Sequence, residues 1–183
     1  LSTVFLSFDQ MTSTYGREVS YRGVGGNIGV GAGYLLGSES LGFYPQAYLT
    51  AGVHALSGPD DLGLMHVPVD VMLSPMARFE LGGQQFGVGP MAQLGIDFSN
   101  GTAVIGTTEQ EIESVQVVDP LRVGGHARWY LPQDSAVWVP AGVDVLGSYA
   151  VVGLEGDMTA YPVTHAGAPH RSVDMALGLS WEF

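Results

Sequence analysis

Lysine and cysteine are absent from this sequence, and charge of either sign is scarce. Without cysteine there is no disulfide scaffold and no thiolate metal site. The six basic residues are all arginine and the net charge is −12, which argues against nucleic acid as a partner. Charged residues make up 13% of the chain against 46% hydrophobic, whereas a soluble domain carries roughly 25% charged residues. No apolar run approaches the roughly 20 residues of a membrane helix, and helical periodicity of useful length is missing. The chain does not open on a basic segment followed by an apolar stretch, so any signal peptide is expected to have been removed. With helices set aside, the backbone solution that remains in a bilayer is a closed barrel, because every N–H and C=O must find a partner there.

What the chain does contain is glycine, 27 of its 183 residues, and alternation. In Ser172–Phe183, Val173, Met175, Leu177, Leu179, Trp181 and Phe183 share one face of an extended strand. The small and polar residues share the other, because side chains alternate along a strand. Eight strand-like segments follow this pattern, at about 1–9, 20–36, 41–56, 64–81, 84–98, 114–131, 135–152 and 172–183. Their connectors alternate in length. Short turns are expected at Ser38-Glu39, Gly82-Gly83 and Pro132-Gln-Asp134, and long loops at 10–19, 57–63, 100–113 and 153–171. The expectation is one domain, 1–183: an all-β, eight-stranded antiparallel up-and-down transmembrane barrel with short periplasmic turns and long extracellular loops.

Parity then assigns faces. Tyr34, Phe43, Phe79, Phe86, Trp129, Trp181 and Phe183 fall on the apolar face near short turns, where an aromatic girdle belongs. Phe8, Phe98 and Tyr149 lie near the long-loop ends as candidates for a second ring. The opposite face is polar, and an eight-stranded barrel is only wide enough for side chains to fill it. Charges there must pair. The expected lumen network joins Arg78, Arg122 and Arg128 with Asp70, Asp97, Asp144 and Asp174, and a three-residue turn sets Arg122 opposite Asp144. Glycines 23, 25, 29, 31 and 33 face inward, with Gly33 across from Tyr44 and Gly29 across from Tyr48. Gly23-Val-Gly-Gly26 is a poor nucleotide loop, since no helix follows it and no lysine is available. No cofactor is expected.

The ending Ala176-Leu-Gly178-Leu-Ser-Trp181-Glu-Phe183 resembles the C-terminal signal of bacterial outer-membrane proteins, with Ala176 in place of the usual polar residue. The resemblance implies a bacterial outer membrane of Gram-negative type as location and the barrel-assembly machinery as a partner during biogenesis. In architecture the chain is similar to the small OmpA/OmpX-like and OmpW-like barrels, without assignment to one subfamily. Outer-membrane lipid and lipopolysaccharide are the expected surroundings, and surface partners would be met through the loops. Acidic residues gather there, at Asp60, Asp61, Glu109, Glu111 and Glu113, and His165 and His170 sit near Glu155 and Asp157. A solvated face accounts for them without a metal. His54 and His66 flank the loop with Ser57, Asp60 and Asp61, a set that a lipid A-modifying enzyme would need, but the deacylase His-x-Ser-Asn-like motif is missing. The expected function is non-enzymatic: a plugged, polar-lumen barrel with a structural or surface-interaction role. A narrow channel for small or apolar solutes is the alternative that Met72, Met76 and Met91 keep open, since they face inward. A soluble lipocalin-like barrel would carry the reverse faces, apolar inside and charged outside.

Overall fold

The computed structural model describes residues 1–13, 19–38, 40–58, 63–105, 108–132, 139–152, 158–160, 163–165 and 170–182. In chain order the strands are β1 Ser2–Ser13, β2 Val19–Gly33, β3 Leu36–Gly37, β4 Leu41–Ser57, β5 Gly63–Leu81 and β6 Gln84–Ile105. There follow β7 Thr108–Tyr130, β8 Gly142–Val152, β9 Met158–Ala160, β10 Val163–His165 and β11 His170–Trp181. Eight of them (β1, β2, β4, β5, β6, β7, β8 and β11) form the wall, each antiparallel to the next. β1 closes it against β11, from Ser2–Trp181 to Ser13–His170. Closure leaves the wall without an open edge. The registers around the ring accumulate a stagger of about ten residues, consistent with strands tilted near 40° and an interior that side chains alone can fill.

The turns decide the registers, and two differ from the sequence expectation. Gly82 and Gly83 both have positive φ, 62° and 76°, the two-residue hairpin turn whose twist matches the strands it joins. It seats Phe79 against Phe86, their rings 6.1 Å apart. The β2–β4 turn sits one residue later than Ser38-Glu39. The Ser38 amide donates to the Leu41 carbonyl at 3.0 Å, the Ser38 hydroxyl accepts from the Leu41 amide at 3.1 Å, and Gly37 supplies φ 107°. Moving a hairpin's centre by one residue moves its partners by two, so Tyr48 faces Gly31, not Gly29, and Gln46 faces Gly33. The Tyr44 ring still covers Gly33 diagonally, since a methyl added there would lie 2.7 Å from Tyr44 Cε2.

The second difference is larger. β7 ends at Tyr130 and β8, which answers to the seventh sequence segment, starts at Gly142, so the register is not that of a three-residue turn at 132–134. Pro140 cannot donate to a ladder, and the strand starts just past it. Arg122 therefore faces Ala150, and Arg128, rather than Arg122, faces Asp144.

At the other end, 100–113 is not a long loop. β6 and β7 run on as a hairpin to Ile105–Thr108, because this stretch alternates and is rich in Thr, Val and Ile. Beyond Leu121, β7 exchanges its neighbour β8 for β9, which carries β10.

Candidate functional site in the barrel lumen

Inward side chains stack in three levels. The lowest is a polar cluster centred on Arg128. Its Nε donates to Asp144 Oδ1 at 2.6 Å, one terminal nitrogen donates to the Tyr48 hydroxyl at 3.0 Å, and the other reaches Glu182 at 3.3 Å. One guanidinium thus ties β7 to β8, to β4 and to the residue after β11; a planar fork of five donors is suited to such a node. Tyr48 in turn donates to Gln46, whose amide lies 2.7 Å from Met76 sulfur. Asp144 Oδ1 accepts a second bond, from His126 Nε2 at 2.7 Å, and the Ser74 hydroxyl lies 2.7 Å from His126 Nδ1. Nε2 donates to the carboxylate, so Nδ1 of a neutral ring accepts from Ser74. Arg128, His126, Asp144 and Ser74 are all buried.

The Ser74–His126–Asp144 order is that of a nucleophile, a base and an orienting acid. Two features weigh against catalysis. Ser74 has no exposed surface, and a nucleophile needs room for a substrate beside it. Asp144 is also held by the permanent charge of Arg128, so the set closes on itself as a buried polar network.

Above it lies an apolar level of Phe5, Met72, Met91, Leu146 and Ala176, with the Tyr48 ring beneath. Phe5 occupies the space that a side chain at Gly178 would take, since a methyl there would lie 2.1 Å from Phe5 Cδ1. The third level is polar again. His54 Nε2 lies 3.0 Å from Asn27 Oδ1, Asn27 donates to Ser7, and the His54 and His66 rings are 5.7 Å apart. Asp70, Arg122 and Asp174 line a cavity of about 20 Å³ here, room for a single water. At the short-turn end a wider vestibule of about 420 Å³ is lined by Arg78, Gln85, Tyr130 and Glu182. The two spaces share no lining residue.

The sequence-expected lumen residues thus separate by height. Arg128 and Asp144 meet. Asp70, Arg122 and Asp174 group above the apolar level. Arg78 does not join an aspartate; it donates to Gln85 and lies 4.1 Å over the Tyr130 ring. The Asp97 side chain is outside the described residues, as are those of Asp60, Asp61, Glu109, Glu111, Glu113, Glu155, Asp157, His165 and His170. Among the described residues no three acidic or histidine groups could hold a metal. Ser57 is exposed at the end of β4, away from the buried His54 and His66. Phe5, Leu146 and Ser74 were not singled out in the sequence, although parity gives their direction: with Phe8 outward, Phe5 must point in.

Outside, the wall is apolar. Leu6, Phe8, Ile28, Leu49, Val71, Leu94, Val145 and Leu177 are exposed, and among the described outward residues the charged one is Arg22, near the long-loop end of β2. Tyr34, Phe43 and Trp129 are exposed at the short-turn edge, with Phe79, Phe86 and Trp181 half-buried beside them. Trp129 Nε1 donates to Gln84 at 3.2 Å, which places its polar tip at the rim. Phe183 lies outside the described residues.

A lone water-soluble protein does not expose such a continuous apolar belt. No protein-family model matches the chain, and no curated protein matches it. Among solved structures it is similar to Neisserial surface protein A, at 13% identity and a TM-score of 0.50, over 100% of this chain and 96% of that one. The chain folds as an outer-membrane β-barrel. An outer-membrane channel from Pseudomonas putida F1 also matches, at 10% identity and a TM-score of 0.23, over 97% of this chain and 94% of that one; that score adds nothing to the assignment.

For an outer-membrane barrel the belt makes a depth-dependent prediction. Leu6, which faces Leu177 across the closing seam, lies in mid-belt. Leu6→Arg should cost about 2–4 kcal/mol, and Leu81→Arg at the short-turn edge about 0–1 kcal/mol. Urea unfolding in lipid vesicles checks this; equal costs would sink the lipid-facing assignment.

Proposed function

We propose that this outer-membrane barrel is plugged and non-enzymatic, with a structural or surface-contact role carried by its outward hairpins and loops. The observation behind this reading is the apolar level. Phe5, Met72 and Met91 are buried across the bore, with the Arg128–Asp144 cluster directly below. An ion crossing that level would be stripped of water with no polar replacement, a cost of many kcal/mol. The β6–β7 hairpin, running on to Ile105–Thr108 and extended by β9 and β10, supplies a broad edge on the outer side. The likeness to Neisserial surface protein A supports a surface role. Lipopolysaccharide is the nearest partner for such an edge, with the acidic loop residues sharing divalent cations with its phosphates.

Reconstitution into planar bilayers at low salt tests the plug. The expected trace is flat, without sustained unitary steps. Stable steps in folded protein would replace this reading with that of a narrow channel.

A further inference from the structure

Three prolines stand side by side at one height of the wall: Pro45 in β4, Pro75 in β5 and Pro90 in β6. Pro45 and Pro75 are register partners. Pro75 and Pro90 oppose one another by continuation, since Leu73 meets Ala92 on one side and Ala77 meets Val88 on the other. Between those two pairs no bridge joins β5 to β6.

The carbonyl directions explain the gap. The Pro45 carbonyl accepts from the Tyr34 amide at 3.2 Å, so Pro45 turns its backbone groups toward β2. Residues opposite one another across an antiparallel pair either exchange both bonds or neither. Pro75 therefore turns toward β6, and a methyl at Gly89 would lie 1.9 Å from its carbonyl oxygen. Pro75 and Pro90 thus occupy a rung that should hold two N–H···O bonds, and neither residue has an N–H. One proline would delete one bond; two facing prolines delete the whole rung.

On the outside, this rung borders an apolar groove of about 550 Å³ lined by Leu73, Pro75, Pro90, Met91, Ala92 and Val123. Pro75 is four residues from Phe79, which sets the groove about 10 Å inside the aromatic rim, within the hydrocarbon layer. Met91 is only 4% exposed, yet it borders both this groove and the inner cavity with Phe5, Met72 and Leu146. Its unbranched thioether can change rotamer without backbone movement.

We propose that the Pro75–Pro90 rung is a lateral binding notch for a lipid acyl chain, with the Met91 side chain as its movable floor between lipid and lumen. The surroundings select this occupant. The groove carries no charged lining residue, and at this depth an irregular peptide segment would leave its own amides unpaired. An acyl chain has no such groups and is the species in contact with this surface. The notch opens sideways, so it stands whether or not the lumen conducts.

The test uses the folded full chain in dimyristoyl phosphatidylcholine vesicles doped with a phosphatidylcholine that carries a diazirine midway along one acyl chain. Irradiation and peptide mass mapping should place adducts on Met91 as well as on the outward Leu73 and Val123. Pro75→Val/Pro90→Val restores both donors and should cut the Met91 adduct about tenfold, the shift expected from two restored hydrogen bonds, with Leu6 and Leu177 labelled as before. Pro90→Val alone, which returns one donor, should give a smaller cut and serves if the double variant does not fold. Folding is read from heat-modifiable gel migration. Folded protein without a Met91 adduct overturns the notch, as does an adduct that neither variant reduces. A conducting barrel that keeps the Met91 adduct would overturn the plug and leave the notch standing.

Discussion

Asp144→Ala should destabilise the barrel by about 3–5 kcal/mol, the cost of removing one partner from a buried ion pair. The loss is large because one oxygen of Asp144 accepts from two groups. Without it, Arg128 Nε and His126 Nε2, both on buried side chains, lose their acceptor. Arg128 keeps only its bonds to Tyr48 and Glu182. Asp144→Asn offers a carbonyl oxygen at the same place but no charge, so it should lose less than alanine does. Replacing both charges by Arg128→Met/Asp144→Leu should recover the part of the loss that comes from the uncompensated Arg128 charge, while His126 Nε2 stays without its acceptor. Urea unfolding in detergent or lipid, run as a double-mutant cycle, gives the coupling directly. A cycle with no coupling would mean that the pair does not hold the lower lumen.

Phe5→Ala should cost about 3–5 kcal/mol, as removal of a buried aromatic from a packed site does. Phe5 fills the level above Arg128 and packs where Gly178 has no side chain. The same geometry gives a paired result. Gly178→Ala alone should destabilise by about 1–3 kcal/mol through overpacking. In a Phe5→Ala background the ring is gone and the Val4 carbonyl oxygen, 2.9 Å from the added methyl, is the close contact that remains, so the substitution should cost less than it does alone. Simple additivity of the two losses would show that Phe5 does not lean on Gly178. Gly178 belongs to the C-terminal motif, so refolding of purified chain, without assembly factors, is the appropriate measurement.

The places where the structure departs from the sequence reading share a physical form. Tyr48 moved from Gly29 to Gly31, and Asp144 from Arg122 to Arg128. Both shifts are even in residue number. An odd shift would turn an apolar face into the lumen and a polar face into lipid, which the bilayer does not tolerate. The alternation of each strand therefore fixes what a residue faces, while leaving its partner open to steps of two. The Ser38–Leu41 bonds and the Pro140 break chose among those steps, and neither signal is periodic. The upper strands were hidden for another reason. Glu109, Glu111 and Glu113 read as a solvated loop by charge, although they also alternate with Gln110 and Ile112 as a strand does.

By itself, then, the sequence determined that this chain spans a membrane as an eight-stranded barrel and, along each strand, which parity turns inward and which outward. Those follow from composition and from period-two alternation, which are properties of each strand alone. Tertiary structure decided the rest: that Arg128 holds Asp144 and Glu182, that Phe5 fills the bore over Gly178, and that Pro75 meets Pro90 across a rung without donors. Each of these joins residues from separate strands, and the choice of partner rests on turns and breaks that act only once the wall has closed.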